Sequence, residues 1–148
     1  MERAFDPLRL EAQLCFPLYA ASREVIKRYR PFLDAIGLTY TQYVTMMVLW
    51  DKRRITAGEL GRRLYLDSGT LTPVLKALEA KGYLKRTRSE RDERVLIVEL
   101  TEAGAAQKAR ASDIPEKVGA CIPLRKDDAE ALYRILYDLL GALERENA

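Results

Sequence analysis

Two cysteines and eight tyrosines carry the reactive side chains of this 148-residue chain, which contains no histidine. Without an imidazole, neither a Ser-His-Asp triad nor a Cys-His pair can be built. Two thiols leave an ordinary four-ligand zinc site incomplete unless two carboxylates join them. No GxxxxGK[ST] or GxGxxG loop is present to cradle a phosphate. Most standard enzyme sites are therefore absent, and no metal or cofactor is expected. Judged by residue type alone, Cys15 reads as a small buried hydrophobe. Tyr19 follows it by four residues, which on a helix places both on one face.

A second kind of chemistry is electrostatic. The net charge of +3 is unevenly distributed. Between Lys52 and Arg94 there are 12 basic and 6 acidic residues, and the remainder holds 13 basic and 16 acidic ones. A cationic central segment on a mildly acidic protein is the footprint of a polyanion binder, the alternative being an ordinary solvated surface. Apolar residues at 48% and charged residues at 32% describe a soluble globular chain, and 148 residues suffice for one domain. The most apolar stretches, Val44 to Trp50 and Val95 to Val98, fall far short of the roughly 20 residues of a membrane span. The early acids of MERAFDPLRLEAQL and its lack of an apolar run predict no secretion signal.

The elements that must position these residues are mainly helical. Asp6-Pro7 reads as a helix cap followed by proline at the first helical position. The apolar positions Leu14/Cys15, Leu18/Tyr19, Val25/Ile26, Tyr29 and Leu33 then form a helical stripe ending at Gly37. Pro17 should kink that helix or break it near Cys15. Thr39-Tyr40-Thr41-Gln42 and Thr56-Ala57-Gly58-Glu59 are capping boxes, the first opening a helix to about Trp50 and the second one to about Leu64. Asp67 or Ser68 caps the next helix, which runs to Gly82. Leu84 to Ser89 and Val95 to Leu100 flank a polar turn and predict a β-hairpin with a charged tip. Thr101 caps a helix interrupted near Pro115 and again near Pro123. Asp127 or Asp128 opens the last one, with Leu132, Leu136, Leu139, Leu140 and Leu143 on one side.

Helix, short helix, helix and hairpin in that order predict a winged helix-turn-helix. The third helix begins with small polar residues, as a helix entering a DNA groove must. The basic segment coincides with this unit, and the two together predict DNA binding.

The runs Leu66-Asp67-Ser68-Gly69-Thr70-Leu71-Thr72-Pro73, Leu78-Glu79, Gly82, Arg91-Asp92-Glu93-Arg94 and Leu100-Thr101-Glu102-Ala103-Gly104 resemble the MarR family of dimeric winged-helix transcription regulators. The stretch Leu14 to Glu24, with Tyr29 and Tyr40 after it, resembles the organic-hydroperoxide-resistance (OhrR) branch of that family. The similarity covers residues 5 to 143. It implies a cytoplasmic homodimeric repressor, not an enzyme, whose Cys15 is oxidised by organic hydroperoxides and which then releases its operator. Tyr19, Tyr29 and Tyr40 are implied as thiolate partners. Tyrosine hydroxyls suit that task, because peroxide attack needs a thiolate and a free thiol ionises only near ~8.5. Cys15 and Tyr29 would lie about 21 Å apart on a straight helix. They can meet only if a kinked helix folds back or a second subunit runs antiparallel beside the first, and the family arrangement is the latter. Cys121, at the helix break Gly119-Ala120-Cys121-Ile122-Pro123, is the candidate resolving cysteine of a two-cysteine sensor, the alternative being an inert thiol.

The expected architecture is thus mainly α with a two-stranded β wing. Residues 1–37 form a dimerisation and sensor helix, 38–104 the winged helix-turn-helix and 105–148 the C-terminal dimerisation helices of one interwoven domain. Ser68, Thr70, Thr72 and Lys76 are expected in the major groove. Arg94, directed by Asp92, is expected in the minor groove, with Arg86 as a further DNA contact. The partner is double-stranded DNA with a pseudo-palindromic operator. Two rival readings are a MarR-type repressor released by a small phenolic ligand and a thiol peroxidase.

Overall fold

The structure, a computed structural model, describes residues 6–146. Its first long helix starts later than Asp6-Pro7 predicts. The Asp6 carboxylate accepts the Leu8 N–H at 2.9 Å, so this pair makes a turn and not a helix cap. One 3-10 turn follows over Leu10–Ala12, and α1 then spans Cys15–Asp34. Pro17 supplies the reason. In a helix extended upstream its ring would strike the carbonyl of Gln13, four residues earlier. In the first turn its missing N–H is one the helix leaves unpaired anyway. The helix stripe ends as expected. Gly37 takes φ 69°, and the Leu38 N–H closes on the Leu33 carbonyl at 3.0 Å.

Three more helices build the helix-turn-helix unit, each started by its expected cap. Thr39 and Gln42 exchange two 3.2 Å hydrogen bonds ahead of α2 (Tyr40–Lys52). Thr56 accepts the Glu59 N–H at 3.2 Å before α3 (Ala57–Leu64). The Glu59 carboxylate does not return that bond but accepts from Arg63 at 3.2 Å, leaving half a capping box. Asp67 accepts the Thr70 N–H at 2.8 Å before α4 (Ser68–Ala80). That bond, joined by the Thr70 hydroxyl, holds the Asp67 carboxyl below its ordinary pKa. Met46 and Leu49 of α2, Leu60 of α3, and Leu71, Leu75 and Leu78 of α4 are all buried. Each contributes roughly 1.5–3 kcal/mol relative to an exposed position, which is what locks α4 in place.

The hairpin forms β2 (Leu84–Arg88) and β3 (Leu96–Leu100), paired antiparallel with Leu84 opposite Leu100. The two-stranded wing gains a third, short strand, β1 (Arg54–Thr56), on the far side of β3. Ile55 pairs with Val98 there, and both are buried. A run of three residues is too short to show alternation in the sequence.

Thr101 caps α5 (Glu102–Ala111), accepting the Gly104 N–H at 3.0 Å. After the break ahead of Pro115 comes α6 (Ile114–Ala120). Residues 1–118 and 119–148 are two separate compact units. The second holds a turn with Cys121 and then α7 (Lys126–Glu146), with Asp127 and Asp128 in its first turn. Within the first unit Leu14, Phe16, Leu18 and Ile26 are exposed, and within the second so are Leu132, Ile135, Leu139 and Leu143. Apolar side chains are seldom left uncovered in such numbers unless a partner covers them. No described helix is long and apolar enough to cross a membrane.

Candidate nucleic-acid interface and thiol site

Ser68, Thr70, Thr72 and Lys76 all lie exposed on α4, the first three in its opening turns. Their local bonds leave them short and pre-ordered. The Thr70 hydroxyl donates to Asp67 at 3.3 Å, and the Thr72 hydroxyl donates to the Ser68 carbonyl at 2.7 Å. Small polar side chains at an exposed helix N-terminus can approach phosphate oxygens and base edges without steric conflict.

At the wing tip the Asp92–Arg94 pairing takes the expected form. One Asp92 oxygen accepts from the Arg94 backbone N–H at 3.0 Å and from Arg94 Nε at 3.2 Å. The Arg94 side chain is 92% exposed, so its outer guanidinium nitrogens project into solvent. Arg86 is arranged differently from the other proposed DNA contacts. Its guanidinium turns to Glu79 of α4, donating through Nε at 2.9 Å and Nη2 at 2.7 Å, while its backbone N–H meets the other carboxylate oxygen at 2.9 Å. These bonds hold the Glu79 carboxyl below its ordinary pKa of 4.5. Sequence reading missed Glu79 as a partner, since the two residues stand on different elements.

Both thiols are free and exposed, Cys15 as the first residue of α1 and Cys121 in the second unit. Tyr19 is exposed one turn after Cys15, and its hydroxyl accepts from Arg23 at 2.9 Å, which leaves its own O–H as a donor. Tyr29 sits near the other end of α1, with no fold-back to bring it to Cys15 of the same chain. It is packed edge to face against Tyr40 of α2, ring centroids 5.0 Å apart. Tyr43, buried on α2, joins the group at 5.9 Å from Tyr29. Burial raises the Tyr29 pKa, and burial followed by the neighbouring Tyr29 and Tyr40 raises that of Tyr43. Each therefore stays a protonated phenol, a hydrogen-bond donor, through neutral pH. Tyr43 was missed in the sequence, although its position three residues after Tyr40 was a usable signal.

Beside these tyrosines, Arg23, Ile26, Lys27, Arg30, Leu38 and Tyr40 help line an open cavity of about 480 Å³. Among the described residues, no group of His, Cys, Asp or Glu is arranged to hold a metal ion.

Residues 27–110 match the protein family of the transcriptional regulators SarA/Rot. The chain is 46% identical over 147 residues to the organic hydroperoxide resistance transcriptional regulator of Bacillus subtilis (strain 168), spanning 99% of this chain and 100% of that protein. It is also similar to solved structures of AbfR of Staphylococcus epidermidis. Reduced AbfR bound to DNA superposes with a TM-score of 0.78 at 35% identity, covering 95% of this chain and 96% of the other. Disulfide-formed AbfR gives 0.59 at 36%, covering 93% and 92%. With the winged helix-turn-helix and the wing motif in place, this chain belongs to the SarA/Rot transcriptional regulators and, among the MarR-type winged-helix proteins, to the organic hydroperoxide resistance regulators.

Proposed function

We propose that the chain is a homodimeric repressor that binds a pseudo-palindromic operator when reduced and releases it when organic hydroperoxides oxidise Cys15. The observation that carries this reading is the exposed Cys15 at one end of α1, with the Tyr29–Tyr40 pair at the other. An antiparallel partner helix brings the thiol of one subunit to those phenols of the other, and the exposed apolar side chains of α1 and α7 are the surface it covers. Residues 1–37 and 105–148 then serve dimerisation, and 38–104 serve DNA binding. The protein works in the cytoplasm, where thiols rest reduced.

The chemistry balances with two thiols. The Cys15 thiolate attacks one peroxide oxygen, the O–O bond breaks, and the alkoxide takes a proton and leaves as the alcohol. Sulfur has lost two electrons and is a sulfenic acid. The Cys121 thiolate of the partner then forms an S–S bond, and hydroxide leaves and is protonated to water. A disulfide is reversible, whereas sulfinic acid usually is not. One oxidation per signal is enough, so the protein is a sensor and not a peroxidase. Tyr19, Tyr29 and Tyr40 serve as hydroxyl donors to the thiolate. Ser68, Thr70, Thr72 and Lys76 read the major groove, and Arg94, steered by Asp92, enters the minor groove. Arg86 acts at this surface by fastening the wing to α4 through Glu79.

Operator titration with and without cumene hydroperoxide tests the reading. The wild type should lose affinity on oxidation, and Cys15→Ser should bind operator normally and keep its affinity. Release by peroxide in Cys15→Ser would overturn it. A second reading, release by a small phenolic ligand, is favoured by a cavity of about 470 Å³ lined by Tyr43, Met47, Trp50, Lys108 and Pro115. A reduced dimer that releases DNA with salicylate-like ligands and ignores peroxide would establish that alternative.

A further inference from the structure

Trp50 lies in the last turn of α2 and makes one hydrogen bond across the fold. Its indole N–H donates to the Gly104 carbonyl, in the first turn of α5, at 2.9 Å. Gly104 is buried where both wing strands meet the helical body. A Cβ at this position would stand 2.0 Å from the Tyr83 carbonyl and 2.8 Å from a Leu100 methyl, so only glycine lets these chains approach so closely. Tyr83 immediately precedes β2, and Leu100 ends β3. The Thr101 N–H closes on the same Tyr83 carbonyl at 3.1 Å, and Gln107 donates to the Tyr83 hydroxyl at 2.9 Å. The direction in which the wing leaves the body is therefore set at Gly104.

The other side of Trp50 faces the tyrosines. Its ring packs edge to face on Tyr43 at 6.3 Å, Tyr43 lies 5.9 Å from Tyr29, and Tyr29 lies 5.0 Å from Tyr40. Four aromatic rings thus run without interruption from the proposed thiolate partners to the wing root. Close-packed rings cannot shift continuously, so displacing one end forces a discrete rearrangement along the row. The peroxide reading above gives neither Tyr43 nor Trp50 a role in the thiol chemistry or in DNA contact.

We propose that Trp50 is a positioning residue that couples the Tyr29–Tyr40 pair to the wing through the Gly104 carbonyl, so that oxidation at the tyrosine end changes how the wing tip meets DNA. This rests on the hydroperoxide-sensing reading above. An effect of this kind carries a coupling of about 5- to 150-fold in affinity.

Trp50 is the single tryptophan of the chain, so its emission reports on this contact directly. The test uses the full-length dimer and follows Trp50 emission, operator affinity and free thiol together during titration with cumene hydroperoxide. Wild type should show an emission change that tracks DNA release, and Cys15→Ser should show none. Trp50→Phe keeps a ring against Tyr43 and loses the N–H. Its reduced form should bind operator within about threefold of wild type and lose thiol at the wild-type rate, but its affinity ratio on oxidation should shrink about tenfold. An unchanged wild-type emission during DNA release would overturn the proposal, as would Trp50→Phe releasing DNA with the full wild-type ratio. Wild type that loses thiol yet keeps its operator would instead overturn the sensing reading, and the coupling with it.

Discussion

Arg86 on β2 gives its backbone N–H and two guanidinium N–H groups to the single carboxylate of Glu79 on α4, at 2.9, 2.9 and 2.7 Å. One ion pair thereby fastens the wing to α4. Glu79 titrates below its ordinary 4.5 because of that guanidinium and N–H. Its folded pKa is depressed, so the stabilisation is fully present above pH 4.5 and is lost as pH falls through the lower folded value. Glu79→Gln should therefore melt earlier than wild type at neutral pH, and the two melting curves should converge in acid. A melting difference that stays constant down to pH 3 would remove the linkage.

Arg94 carries no comparable duty inside the fold, since among the described residues its ion pair is with Asp92, two residues earlier. Arg94→Ala should weaken operator binding by about 1–3 kcal/mol and leave the melting transition unchanged. Arg86→Ala should lower both. Equal affinities of Arg94→Ala and wild type at physiological salt would count against the minor-groove role.

The cationic segment between Lys52 and Arg94 makes a quantitative claim about salt. If it lies along phosphates, log affinity falls linearly with log salt, with a slope of about −0.9 per phosphate neutralised. Operator titrations at several salt concentrations measure that slope. A flat response would exclude this segment as the DNA face.

Cys121 has a distinct expected phenotype. Peroxide-treated wild type should run as a covalent dimer on a non-reducing gel, and Cys15→Ser or Cys121→Ser should leave monomer bands. Cys121→Ser should still form the sulfenic acid, detectable with a dimedone-type probe. Wild type that stays monomeric on the gel while releasing DNA would make this a one-cysteine sensor served by an external thiol.

What the sequence determined by itself is local. Thr39, Thr56, Asp67 and Thr101 each cap the helix expected of them, because a cap closes a hydrogen bond over three residues and needs nothing else. Asp92 reaches Arg94 for the same reason, and the hairpin ends fall within one residue of their expected places. The start of α1 was also written locally, in the clash of Pro17 with Gln13, although Asp6-Pro7 gave a competing signal. The tertiary structure alone decided the contacts between distant elements. The three residues of β1 become a strand only because the free edge of β3 is there to pair with them. The turn of Arg86 to Glu79, the tilted packing of Tyr43 against Tyr29 and the bond from Trp50 to Gly104 depend on how helices and strands cross. Those crossings are chosen by burial of the whole apolar core, including Leu49, Leu75 and Val98, and burial is a property no short window of sequence contains.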